Sequence, residues 1–157
     1  MKVLLLVVGR VRGELADAVA TYEGRARHYW KFECVEVGAG AGGSEDPTAV
    51  MAAEAERLRA RIPTGAEVVA ITREGRPWSS RKLADWLGER ALHGLGDVAF
   101  VIGGAHGIDP EVLRSASRRL SLSAMTFPHE MARLMFAEQL YRAGTILRGE
   151  PYHKGRD

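Results

Sequence analysis

Short apolar runs alternate along this chain with longer segments of helical period, and the alternation continues to the C-terminus. Val3-Leu4-Leu5-Leu6-Val7-Val8 and Val98-Ala99-Phe100-Val101-Ile102 are unbroken apolar runs, which suit parallel strands covered on both faces. Residues 32–37 and 67–72 predict two further strands. Between them, Leu15, Val19, Tyr22 and Ala26 fall on one face of a helix over residues 14–29. Asp46-Pro47 gives a cap and first helical position for a helix over residues 48–62, whose Glu54, Glu56, Arg57, Arg59 and Arg61 predict a peripheral, loosely held element. Arg73-Glu74-Gly75-Arg76-Pro77 reads as a turn. Ser79 or Ser80 then caps a helix carrying Leu83, Trp86 and Leu87, which ends at His93-Gly94-Leu95-Gly96. Asp109-Pro110-Glu111 starts a helix expected to run to residue 119. Residues 120–127 alternate apolar and small polar side chains, the period of a strand, until Pro128 removes a ladder donor. The expected fold is α/β, with a mainly parallel sheet of about five strands and helices on both faces, in one domain over residues 1–157.

The final helix, residues 130–147, is apolar around most of its circumference. Glu138, Arg142 and Thr145 form its polar stripe, while Met131, Ala132, Leu134, Met135, Phe136, Leu140, Tyr141, Ala143, Ile146 and Leu147 are more than one sheet can cover. A helix of this kind is buried on two sides, and the second side predicts a partner subunit. A chain of 157 residues can bury roughly 70% of its unfolded surface without disulfide staples. Cys34 is the single cysteine, so no internal disulfide forms, and a buried apolar role in a reducing compartment is expected. The apolar N-terminal run is too short to span a membrane and lacks a cleavage site, which predicts a cytoplasmic protein. Net charge is +2, but of 22 basic residues only Lys2, Lys31, Lys82 and Lys154 are not arginine, the side chain better suited to forked phosphate contacts.

Two glycine stretches invite a ligand. Gly38-Ala39-Gly40-Ala41-Gly42-Gly43 formally fits a dinucleotide fingerprint, but Ser44-Glu45-Asp46-Pro47 separates it from its helix and places two carboxylates where a pyrophosphate would sit. A plain loop is expected there. Gly103-Gly104 is the better candidate, because glycines at the carboxyl end of a central strand let backbone and ligand approach closely. His28, His93, His106, His129 and His153 have no metal-ligand spacing, and no phosphate-binding loop of nucleoside triphosphatases and no nucleophile elbow occurs. No metal is expected.

Phe100-Val101-Ile102-Gly103-Gly104, Leu122-Ser123-Ala124-Met125-Thr126-Phe127-Pro128-His129, Glu138-Gln139-Leu140-Tyr141-Arg142-Ala143 and Pro151-Tyr152-His153, with Gly75-Arg76-Pro77-Trp78, resemble the RlmH family over nearly the whole chain. These are bacterial pseudouridine N3-methyltransferases of large-subunit ribosomal RNA, of the SPOUT class. The resemblance implies a C-terminal trefoil knot, against the ordinary connection rules. It also implies S-adenosyl-L-methionine as methyl donor, a homodimer with its site at the subunit interface, and 23S ribosomal RNA within the ribosome as substrate. It places the cofactor at Ile71, Gly103, Gly104, Leu122, Ser123, Ala124, Met125, Thr126 and Phe127. Ile71 stands where relatives often have leucine, which keeps the apolar contact, and His106 falls in a variable part of the turn, outside the chemistry.

The tail holds Arg148, Pro151, Tyr152, His153, Lys154 and Arg156. Methylating an imide nitrogen requires a base held flat, its proton removed and its charge stabilised. Tyr152 can stack on a base, His153 can accept or relay a proton, and Arg142 can stabilise an imidate, with Glu138 beside it. These four are the expected catalytic residues. The alternative is a non-catalytic RNA-binding or nucleotide-sensing α/β module.

Overall fold

The computed structural model describes residues 1–155. Arg156, expected in the functional tail, and Asp157 lie outside them. The elements are β1 (Lys2–Val8), α1 (Leu15–Arg27), β2 (Lys31–Val37), α2 (Pro47–Arg59), β3 (Glu67–Pro77), α3 (Ser80–His93), β4 (Val98–Ile102), α4 (Pro110–Ser115), β5 (Arg118–Ser121) and α5 (His129–Leu147). The strands form one parallel sheet in the order β2-β1-β4-β3-β5. The two unbroken apolar runs, β1 and β4, are adjacent at its centre, with Val3 opposite Val98 and Val7 opposite Ile102. Successive side chains point to opposite faces. Leu5, Phe100 and Ile102 therefore meet Ala26 of α1, Leu83 and Leu87 of α3, and Phe136 and Leu140 of α5. Leu4, Leu6 and Val101 meet Ala55 and Leu58 of α2 and Val112 of α4 on the other face.

The expected caps form. Asp46 accepts from the Ala49 amide, Ser79 from Lys82 and Asp109 from Glu111, and Gly94 closes α3 at φ +61°. Three expected secondary-structure assignments need correction. The helix begun at Pro110 ends at Ser115 instead of residue 119, because Ser117 N–H donates to Val68 O and Arg118 Nε to Glu67 Oε1, drawing residues 117–119 to the edge of β3. The strand expected over residues 120–127 occupies only Arg118–Ser121. Its small polar side chains hydrogen-bond locally: the Ser121 hydroxyl lies 2.9 Å from Ser123 O, and the Met125 amide donates to Ser123 Oγ at 3.1 Å. Such bonds compete with a ladder, so residues 122–128 form an irregular loop that leaves Met125 72% exposed.

The third correction concerns residues 73–77, which continue β3 instead of turning. Leu120 pairs first with Ile71 and then, after a register shift, with Arg76, so the chain makes an excursion across β5 and returns. Gly75 lies on the crossing. A Cβ there would sit 2.7 Å from the carbonyl carbons of Arg119 and Leu120 and 2.8 Å from Leu120 N. Two backbones meet with no room for a side chain.

α5 lies on the sheet between α1 and α3, which take much of the apolar surface that one sheet cannot cover. Phe136 packs on Phe100 with ring centroids 4.6 Å apart, Leu140 is fully buried, and Trp30 Nε1 donates to Leu140 O at 2.8 Å. At Gly144 a Cβ would fall 2.2 Å from Tyr29 Cγ, so this glycine sets the approach of α5 to the end of α1. Arg133 of α5 is buried against Glu23 of α1 at 2.7 Å, with Glu36 at 3.4 Å. Thr145, expected in a polar stripe, is instead buried and returns its hydroxyl to Arg142 O. Beside Arg133, burial pushes the half-buried Cys34 thiol up to about 12, so it remains an inert packing group. α2, expected to be loosely held, buries Val50, Glu54, Ala55 and Leu58. Its Arg57 donates to the carbonyls of Gly38 and Gly40, which pins the glycine loop.

Two outcomes follow from this packing. Gly75→Val should cost about 3 kcal/mol, because neither backbone at the crossing can yield; a urea titration with an unchanged midpoint would refute the crossing. Tyr29 donates to Glu150, and this hydrogen bond, followed by burial, pushes its phenol up from 10.0 to about 12. A raised pKa means that the folded state retains the proton longer. The stabilisation is therefore complete below pH 10 and lost as pH rises towards 12. Tyr29→Phe should flatten the alkaline fall in the urea midpoint across that window and leave the neutral-pH slope unchanged.

Candidate active site

β4 delivers the chain to the glycine turn at the carboxyl edge of the sheet, where Gly107 N–H closes on Gly104 O at 3.0 Å. Both glycines are also required by the protein itself. A Cβ on Gly103 would lie 2.5 Å from the carbonyl of Gly107, and one on Gly104 would lie 2.9 Å from Glu54 Oε2 and 3.0 Å from Val8. A side chain at Gly103 would therefore distort the turn before it met any ligand. Glu54 is buried; its Oε1 accepts from the Gly40 amide at 3.0 Å, and among the described residues its buried Oε2 has no hydrogen-bond partner. An unpaired buried carboxylate oxygen is costly. Beside Gly104, which presents no side chain, it suits a ligand that brings hydrogen-bond donors and positive charge, as S-adenosylmethionine does.

The other expected cofactor residues surround this edge unevenly. Ile71 is buried where the β3 register shifts, opposite Leu120. Leu122, Ser123 and Phe127 are partly buried, whereas Ala124, Met125 and Thr126 are exposed. Of the whole set, only Leu122 lines a cleft of about 560 Å³ on the α5 side of the sheet. Tyr22 of α1, Trp78, Ser79, Ser80 and Leu83 around the start of α3, and Leu120 and Ser121 of β5 line it with Leu122. α5 supplies Leu134, Met135, Phe136, Glu138 and Gln139.

Glu138 joins this cleft to the tail. Its Oε1 accepts from Arg142 Nε at 3.0 Å, Arg142 Nη2 at 2.6 Å and the Tyr152 hydroxyl at 2.9 Å. Its Oε2 accepts from Gln139 Nε2 at 2.8 Å, and Gln139 Oε1 accepts from Ser80 Oγ at 2.7 Å. Arg142 lies over the Tyr152 ring, 4.8 Å from its centroid, and places Nη1 3.2 Å from His153 Nδ1. Tyr141 stacks at a tilt on Tyr152 with centroids 4.5 Å apart. Burial, then the hydrogen bond to Glu138, then one with Tyr22, hold the Tyr152 phenol well above its usual range, so it keeps its proton.

The four expected catalytic residues therefore share one bonded cluster, built from i,i+4 neighbours on α5 and a tail that folds back over them. Leu122 and Glu138 share the cleft, while Ile71, Gly103, Gly104 and residues 123–127 are not among the residues that line it. Tyr22, Ser80, Gln139 and Glu54 escaped the sequence reading. Trp78 and Gln139 stood inside the motifs quoted above without being singled out, whereas Tyr22 looked like any core position of an amphipathic helix. Among the described residues, no group of His, Cys, Asp or Glu side chains could hold a metal ion, and no helix is long and apolar enough to cross a membrane.

Comparison with known proteins agrees with this architecture. Residues 1–153 match the family described as predicted SPOUT methyltransferases. The protein from Gemmatimonas aurantiaca named ribosomal RNA large subunit methyltransferase H is 54% identical over 155 residues, covering 98% of this chain and 100% of the relative. The protein of the same name from Syntrophotalea carbinolica is 40% identical over 154 residues, covering 98% and 99%. Among solved structures, a probable methyltransferase from Bordetella pertussis Tohama I superposes with a TM-score of 0.55 at 16% identity, covering 90% of this chain and 95% of that one. A probable methylase family protein from Haemophilus influenzae gives 0.54 at 13% identity, covering 98% and 70%. At such identities the structures speak for the fold alone. With both the family model and the sequence relatives spanning almost its full length, the chain belongs to the SPOUT methyltransferase family, among the ribosomal RNA large subunit methyltransferases H.

Proposed function

We propose that this protein is a single-domain, S-adenosylmethionine-dependent methyltransferase that methylates N3 of a pseudouridine in 23S ribosomal RNA on the assembled ribosome. The observation that carries this reading is the Glu138–Arg142–Tyr152–His153 cluster at the mouth of the cleft walled by Leu122. It offers what imide methylation needs: an aromatic ring, a cation and hydrogen-bonding groups at one place. When bound, the cofactor supplies an electrophilic methyl group. Ile71, Gly103, Gly104 and Leu122, Ser123, Ala124, Met125, Thr126 and Phe127 would hold it, with backbone groups around the adenine and apolar walls. Tyr152 presents a ring to the target base, Arg142 places a cation beside the developing imidate, and Glu138 orients both. In this reading the C-terminal part forms the trefoil knot of the SPOUT class, and the enzyme works in the cytoplasm, where ribosomes are found.

The active form is a homodimer. Supporting this, Met131, Leu134 and Met135 remain only partly buried on α5 after α1 and α3 have packed against it. Leu140, an obvious apolar position for probing an interface, lies in the chain's own core instead. Leu134→Asp should therefore shift the protein towards monomer in sedimentation at micromolar concentration, with far-UV circular dichroism retained. A wild-type protein already monomeric there would defeat the dimer.

The decisive experiment is transfer of labelled methyl from S-adenosylmethionine to ribosomes that carry or lack pseudouridine. Label should enter only the pseudouridine-containing large subunit. Binding of cofactor or RNA without transfer would favour the non-catalytic module. Glu138→Gln should cut the transfer rate by about 100-fold or more, while cofactor affinity in calorimetry stays within about threefold because Glu138 serves the base and not the donor. Removing residues 152–157 should also leave cofactor affinity in place and abolish transfer.

A further inference from the structure

The cluster decides which way His153 works. An arginine guanidinium carries only donors, so the 3.2 Å contact between Arg142 Nη1 and His153 Nδ1 is a hydrogen bond only if Nδ1 accepts. Arg142 is not free to rotate away. Its Nε and Nη2 are engaged by Glu138 Oε1 at 3.0 and 2.6 Å, and its plane rests on the Tyr152 ring, so Nη1 is the edge left towards the imidazole. A neutral imidazole that accepts at Nδ1 carries its proton on Nε2. Nor does the rest of the cluster supply a base. The Tyr152 hydroxyl keeps its proton and donates it in a hydrogen bond to Glu138, whose Oε1 already accepts from Arg142 and Tyr152 and whose Oε2 accepts from Gln139.

We propose that Arg142 fixes His153 as its Nε2–H tautomer, so that His153 serves the reaction as a hydrogen-bond donor to the target base and not as acceptor of its imide proton. This rests on the methyltransferase reading above and gives His153 the opposite role from that expected of a histidine read in sequence alone. The N3–H proton leaves to solvent water, and the charge it leaves is shared by the flanking carbonyl oxygens. Nε2–H donates to one of those oxygens, as an oxyanion-hole donor does. The N3–CH3 bond then forms as the S–CH3 bond breaks, and the electron pair of that bond departs on sulfur, which ends as a neutral thioether. Among the described residues, the charged and titratable groups that the cluster places near His153 include Arg142, Glu138 and Tyr152, with Tyr22 behind Tyr152 and Lys154 next in the chain.

The tautomer can be read without any turnover. In full-length protein labelled with 15N-histidine, long-range nitrogen–proton correlation at neutral pH should show His153, assigned by its loss in His153→Gln, with Nε2 protonated and Nδ1 bare. Arg142→Met should shift it to a mixture of tautomers. A His153 that is Nδ1-protonated or doubly protonated in the wild type overturns the proposal. In ribosome methylation, His153→Gln, which keeps a side-chain N–H, should retain the rate within about tenfold, whereas His153→Ala should lose about 100-fold or more. The pH–rate profiles of wild type and His153→Gln should have the same shape. Equal loss in both variants, with disappearance of the acidic limb, would make His153 the base and overturn the proposal; full activity in His153→Ala would overturn it as well. Wild-type protein that shows the expected tautomer but transfers no methyl would strike the methyltransferase reading instead.

Discussion

The crossing of β3 over β5 at Gly75 governs where the candidate cleft lies. Parallel strands ordinarily part at the sheet edge, each entering its own helix. Here β3 leaves its register with β5 after Ile71, passes within van der Waals contact of the Arg119–Leu120 backbone and pairs again with β5, in a shifted register, at Arg76. The detour brings Trp78 and the start of α3 to the flank of β5, opposite Leu122, and so builds one wall of the cleft. β5 stops at Ser121, which pairs with Pro77, the last residue of β3. The loop over residues 122–128 follows from the crossing as much as from its own composition. Gly103 and Gly75 thus share a logic: each removes a side chain where backbone meets backbone, and a ligand site built on such contacts inherits their rigidity.

α5 serves the core and the cluster at once. Its Phe136, Leu140 and Ala143 face the sheet, Arg133 is tied to Glu23, and Gly144 admits Tyr29. Its Glu138 and Arg142 project from the same rigid turn towards the tail. A buried ion pair such as Arg133–Glu23 adds little net stability, since desolvation offsets the attraction. It does set the rotation of α5 about its axis, because a slip of one residue would strand both charges. That rotation places Glu138 at the cleft instead of in solvent. The two acidic partners, Glu23 and Glu36, come from different elements, so register is fixed from two directions.

Much of this was legible in the sequence, and the failures have a common cause. Apolar runs marked β1 and β4, caps marked the starts of α2, α3 and α4, and Gly94 marked the end of α3, because each is a local matter of hydrogen bonds and φ angles. Residues 73–77 read as a turn and residues 122–127 as a strand because composition reports what a segment can do alone. At both places groups outside the pattern decided: the β5 backbone for Gly75, and, for the strand's early end, the end of its partner strand at Pro77 together with the local Ser121–Ser123 bond. Around the site, Glu138 and Arg142 were visible as helical neighbours. Tyr22 was not, since only the packing of α1 against α5 turns it towards the cleft. Glu54 lay in a helix that looked peripheral, and nothing in its spacing marks a carboxylate buried beside Gly104.

The cluster's hydrogen bonds also explain why a tail as short as Pro151-Tyr152-His153 can be positioned at all. A chain end frays unless side chains hold it. Here the tail is held by groups whose geometry is already set by α5: Tyr152 by the Glu138 carboxylate and by Tyr141, His153 by Arg142. Tyr29 and Glu150 close the hinge between helix and tail. Ordering therefore costs little beyond the side-chain rotamers of Tyr152 and His153. Because each bond in the cluster runs from a committed donor to a committed acceptor, the cluster presents a fixed polarity outward. A site of fixed polarity stabilises charge as it forms without first reorganising, which matches the needs of a base that must lose a proton and then share the negative charge it leaves.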